Sequence, residues 1–100
     1  MSSPTVLIID DEVQIRKLLS ITLQSNDFKV IEAETAKQGI AMVASHTPDL
    51  VLLDLGLPDE NGQEVLRHLR EWFTRPIIIL SVQSEEQEII KALDRGANDY

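Results

Sequence analysis

Three short apolar runs punctuate the chain, at residues 6–9, 50–53 and 77–80, each followed by a polar break, and residues 28–33 read as a further strand between the first two. Val6, Leu7, Ile8 and Ile9 are continuous and largely β-branched, which predicts a strand buried on both faces, and residues 50–53 and 77–80 repeat that pattern. Between the runs, apolar residues return at helical spacing. Ile15, Leu18, Leu19 and Thr22 form the stripe of a first helix, with Gln14, Arg16, Lys17 and Gln24 outside it. Thr35 is placed to cap a second helix whose buried face is Ala36, Ile40, Val43 and Ala44, and Pro48 with Asp49 closes that unit. Residues 55–62 read as a loop by their turn chemistry, and Val65, Leu66, Leu69 and Phe73 carry a third helix. Pro76 stands at the entry of the fourth strand, where a missing N–H is tolerated. Ser84 with Gln87 makes a capping box for a fourth helix over Ile89, Ile90 and Leu93, ended by Gly96 as a left-handed cap. Strand and helix thus alternate four times, which predicts an α/β domain with right-handed crossovers and a parallel sheet covered on both faces.

That arrangement gathers the polar residues that end the strands. Asp10 and Asp11 follow the first, Asp54 the third and Ser81 the fourth, so all meet at the carboxyl edge of one sheet, where open parallel sheets bind ligands. Up to three carboxylates at close range repel one another unless a proton or a cation intervenes. Mg2+ prefers oxygen ligands and retains water, so one or two carboxylates with a loop carbonyl suit it, and Gly56 offers such a carbonyl. Taken singly, each Asp also fits a cap or a turn, and Ser81 and Tyr100 also fit a strand-end hydroxyl and a strand aromatic.

Composition removes other chemistries. With 100 residues and no Cys, the chain is one globular domain without disulfides, thiolate catalysis or a Cys-based zinc site, which suits a reducing compartment. Seventeen acidic against nine basic residues give a net charge of -8, which opposes binding to a phosphate backbone or an anionic membrane. No apolar run reaches the ~20 residues of a membrane span, and the expected location is cytoplasmic. His46 and His68 have no partner at ligand spacing and read as surface residues; Trp72 and Phe73 read as packing residues.

Ile8-Ile9-Asp10-Asp11-Glu12, residues 54–59 (Asp-Leu-Gly-Leu-Pro-Asp) with Asn61 and Gly62, Ile79-Leu80-Ser81, and residues 96–100 (Gly-Ala-Asn-Asp-Tyr) together resemble the receiver domain of two-component response regulators. The resemblance implies a flavodoxin-like, doubly wound sheet of order 2-1-3-4. It implies that Asp54 is the phosphoacceptor, served by a sensor histidine kinase, and that Asp10, Asp11, Asp54 and the Gly56 carbonyl hold Mg2+. Ser81 becomes the switch hydroxyl and Tyr100 the switch aromatic. Such a domain is a signalling phosphoacceptor that assists its own phosphoryl transfer rather than an enzyme. Residues 54–59, Arg70-Glu71-Trp72 before Pro76, and residues 81–86 look most like the KdpE type of the OmpR/winged-helix class. That type implies a homodimer partner and transcriptional control of potassium uptake, with DNA contacted only through a C-terminal domain.

The family's last strand, last helix and phosphoryl-clamping Lys fall beyond Tyr100. The expectation is therefore a receiver over 1–100 that is incomplete at its C-terminus, with the DNA-binding domain absent and residues 77–80 as an unpaired apolar edge prone to self-association. Val82 stands where the family usually has a small residue, narrowing access to Asp54. In the family the first helix faces the kinase, and Ile21 lies off its main stripe. Three other readings compete: a receiver-like interaction scaffold that is not phosphorylated; an aspartyl phosphohydrolase, which wants a second acid where Gly56 stands; and a nucleotide-binding flavodoxin-like protein, which wants a glycine-rich loop where Asp10, Asp11 and Glu12 stand.

Overall fold

The first strand in the chain lies inside the sheet, with a neighbour on either side. A computed structural model describes residues 3–80 and Gly96. Its elements run β1 (Thr5–Ile9), α1 (Val13–Gln24), β2 (Lys29–Ala33), α2 (Ala36–His46), β3 (Leu50–Asp54), α3 (Gly62–Arg70) and β4 (Ile77–Leu80). The four strands form one parallel sheet of order β2-β1-β3-β4, the flavodoxin-like order that the family resemblance implies. The chain steps from β1 to β2 in one direction and then doubles back past β1 to β3. With right-handed crossovers, those opposite steps put α1 on one face and α2 on the other.

The two faces follow from strand alternation. Leu7, Ile9, Val51, Leu53, Ile77 and Ile79 point to the face covered by α2 and α3, where they pack with Ala36, Val43, Val65, Leu66, Leu69 and Phe73. Val6, Ile8 and Leu52 point the other way, against Leu19 and Leu23 of α1. Each fully buried Leu or Ile contributes about 1.5–3 kcal/mol, so this ladder is the main source of cohesion.

Thr35 caps α2 as expected, its hydroxyl accepting the Gln38 N–H at 3.1 Å. Two apolar stripes differ from expectation. Leu18 is 63% exposed and Thr22 is exposed as well, because Leu19 and Leu23 set the phase with which α1 meets the sheet. In α2, Ala44 is exposed and Gly39 takes the buried position, where an added Cβ would stand 2.5 Å from the Ile9 Cδ1. Strand ends also shift by one residue: β1 begins at Thr5, β2 at Lys29, and β3 includes Asp54. Gly96 has φ +108°, the left-handed conformation expected there. The fourth helix it was expected to end lies outside the described residues.

Gly62 is required by close approach. A Cβ there would fall against the Leu55 Cα and 2.7 Å from the Asp54 carbonyl oxygen, and neither backbone atom can move aside cheaply. Gly62→Ala is expected to lower stability by about 1–3 kcal/mol, read as a shift in the urea midpoint.

Candidate functional site

Register decides where the acids emerge. Ile9 pairs with Leu53 across β1 and β3, so the residues that follow them leave the sheet side by side. The Asp10 N–H extends the ladder to the Ala33 carbonyl at 3.0 Å, and the Asp10 carboxylate accepts the Glu12 N–H at 2.9 Å. This is a local turn rather than a cap: α1 begins after Glu12 with no side-chain cap. Asp10 is only 5% exposed, whereas Asp11 faces solvent. Asp54 closes β3 and accepts the Gly56 N–H at 3.1 Å.

One carboxylate oxygen from each of Asp10, Asp11 and Asp54 lies within 4.8 Å of the others. Burial pushes the Asp54 carboxyl above its ordinary range, and the Asp10 and Asp11 charges add to that rise against the opposing pull of the Gly56 N–H. An all-oxygen donor set that repels itself fits a hard divalent cation. The sequence gathered Asp10, Asp11, Asp54 and the Gly56 carbonyl at this edge; the structure brings the three carboxylates together, and Gly56 meets Asp54 through its N–H. Ser81 and Tyr100 lie outside the described residues.

Two further residues shape the site. Arg16, expected on the solvent side of α1, instead has only 12% of its side chain exposed. Its guanidinium donates to the Asp10 carbonyl at 2.7 Å and to Glu32 at 3.2 Å, with Glu34 at 4.0 Å, so it clamps the ends of β1 and β2 beneath the acidic turn. A cation one turn into the helix that follows an acidic pair is the signal that could have revealed it. Asp59, read only as a turn residue, accepts the Ala36 N–H at 2.8 Å and the Lys37 N–H at 3.1 Å. The Ala36 N–H above all holds its carboxyl below the usual range. No local sequence pattern announces a cap supplied from 23 residues away.

The model of the response regulator receiver domain family matches residues 6–100. The chain belongs to that family. This receiver is 50% identical over 95 residues to the KDP operon transcriptional regulatory protein KdpE of Escherichia coli and 47% identical to KdpE of Mycobacterium tuberculosis, each match covering 95% of the chain and 42% of the relative. It is 40% identical to the phosphate regulon regulator PhoB of Pseudomonas aeruginosa over all of this chain and 45% of that protein. The receiver thus spans less than half the length of these relatives. Among solved structures, the BeF3-activated receiver domain of Klebsiella pneumoniae RstA superposes with a TM-score of 0.93 at 29% identity, covering 96% of this chain and 82% of that one. A two-component response regulator from Clostridium difficile gives a TM-score of 0.96 at 28% identity, covering 98% and 81%.

The raised Asp54 pKa has a definite sign in stability. A carboxyl that binds its proton more tightly when folded favours the fold below the unfolded pKa of about 3.9 and loses that contribution as pH rises through the folded value. At neutral pH the ionised Asp54 therefore opposes folding. Asp54→Asn is expected to raise the melting temperature by a few degrees at pH 7 in metal-free buffer. The gain fades as pH falls and disappears well below the unfolded pKa of about 3.9, at pH ~2.5, where Asp54 is neutral in either state; an equal gain at both pH values would refute electrostatic strain as its cause.

Proposed function

We propose that this receiver is the phosphoacceptor of a KdpE-type, two-component transcriptional regulator, taking a phosphoryl group from the phosphohistidine of a sensor histidine kinase. The observation that carries the reading is the convergence of Asp10, Asp11 and Asp54 within 4.8 Å at the carboxyl edge of the sheet. An Asp54 carboxylate oxygen attacks phosphorus, the P–N bond to the kinase histidine breaks, and the imidazole leaves with the bond's electron pair and accepts a proton. Asp11 directly and Asp10 through water are assigned to Mg2+, with Asp54 and the Gly56 carbonyl completing its protein ligands. When bound, Mg2+ offsets the negative charge gathered between the carboxylates and the phosphoryl oxygens. The Gly56 N–H fixes one Asp54 oxygen and so aims the other.

Ser81 and Tyr100 carry the switch roles on the strength of the sequence motifs. A phosphoryl group bound by contacts made in only one conformation shifts a pre-existing equilibrium. The relatives are named transcriptional regulatory proteins, which supports control of a DNA-binding output domain as the role; a second copy as dimer partner and a cytoplasmic location are assigned on the family resemblance. The net charge of -8 makes direct DNA binding by the receiver itself unfavourable. No helix among the described residues is long and apolar enough to cross a membrane. The protein acts as a signalling phosphoacceptor that assists one transfer, not as a turnover enzyme.

Incubation with a small-molecule phosphodonor and Mg2+ is expected to add a single phosphoryl mass to the chain and none to Asp54→Asn. An equal adduct on both would move the acceptor elsewhere, and no adduct on the parent would favour an unphosphorylated scaffold.

Kinase docking is assigned to α1, whose outer side exposes Val13, Leu18 and Ile21, the last by 58%. Ile21→Asp is expected to slow kinase-dependent phosphorylation by about tenfold, as loss of an apolar anchor does, while transfer from the small donor is unchanged. Undiminished transfer from the kinase would remove α1 from the interface.

A further inference from the structure

The loop between β3 and α3 is tied down at several points. At its neck the Gly62 N–H donates to the Leu55 carbonyl at 3.0 Å, and Leu57 is buried in the core beside α2 and α3. At its tip the Asp59 carboxylate reaches a different element, spanning the Ala36 and Lys37 N–H groups that open α2. Those N–H groups have no intrahelical partner and lie at the positive end of the helix, so a carboxylate is the matching group. Residues 55–59 are thus held at both ends, and the residue between them that touches Asp54 is Gly56, through its 3.1 Å N–H bond.

We propose that Asp59 is a positioning residue for the acidic site, latching residues 55–59 to the first turn of α2 so that Gly56 stays set against Asp54. This rests on the reading of that site as a Mg2+-assisted phosphoacceptor. Without the latch, the turn after Asp54 gains backbone freedom, and the ordering it has lost must be supplied when the cation binds. The Ala36 N–H holds the Asp59 carboxyl below its ordinary range, in keeping with an ionised carboxylate as the group that makes the latch.

A purely structural role, capping α2, is separable because α2 has a second cap. Thr35 accepts the Gln38 N–H on the same turn and makes none of the loop's contacts described above. Mg2+ affinity is measured by titration calorimetry on the chain and on Asp59→Ala, Asp59→Asn and Thr35→Ala, with circular dichroism to show that each is folded. Asp59→Ala is expected to weaken Mg2+ by about tenfold, the scale seen when a partner behind a metal ligand is lost. Asp59→Asn, which keeps one acceptor and folds if the alanine variant does not, weakens it less, and Thr35→Ala leaves it unchanged. Parental affinity in the folded Asp59 variants, or an equal loss in Thr35→Ala, overturns the latch while leaving the phosphoacceptor reading intact. A parent chain that binds no Mg2+ and accepts no phosphoryl group overturns both.

Discussion

The pairing of β1 with β3 is the constraint on which the site depends. Ile9 and Leu53 are fully buried neighbours in that ladder, and the residues beyond them are acids that repel. Both strands are apolar on both faces, so a one-residue slip of either would exchange the side chains packed on each face and draw a carboxylate toward the sheet interior; close packing and the cost of burying a charge hold the register against the repulsion of the acids. Electrostatic strain at the edge of the sheet is therefore affordable. The same strain makes the edge selective for whatever neutralises it.

The carboxylates are also held from behind. Arg16 binds the Asp10 carbonyl rather than any carboxylate of the cluster, taking its carboxylate contacts from Glu32 and Glu34 instead. Its charge steadies the acidic turn without occupying the position a cation would take. A direct Arg–Asp pair there would quench the repulsion among the carboxylates.

How much of this was legible in the sequence divides along physical lines. Continuous runs such as Val6 to Ile9 announce buried parallel strands, and an acid just past two of them announces a shared edge, because both signals are local and periodic. The Thr35 cap is legible for the same reason. The rotational phase of α1 was not: Leu18 and Leu23 are equally apolar, and only contact with the far side of the sheet selects Leu23. Nor were Arg16 and Asp59, whose roles come from bonds between elements, made where a long stem is buried or a loop crosses to another helix. The acids of the site were visible in the chain, and the groups that hold them still were not.

The two faces of the sheet are unequal among the described residues. One face buries the side chains of α2 and α3 in a broad core, while α1 has no fully buried residue and leans on Val6, Ile8 and Leu52 through partly covered side chains. Local opening is cheapest where little apolar surface is lost, so the amide protons of α1 will exchange with solvent through small openings long before those of β1 and β3. The first helix is, in that sense, the least committed of the described helices. A protein that settles on it gains a surface that tightens on contact, and the protection it confers can be read one amide at a time.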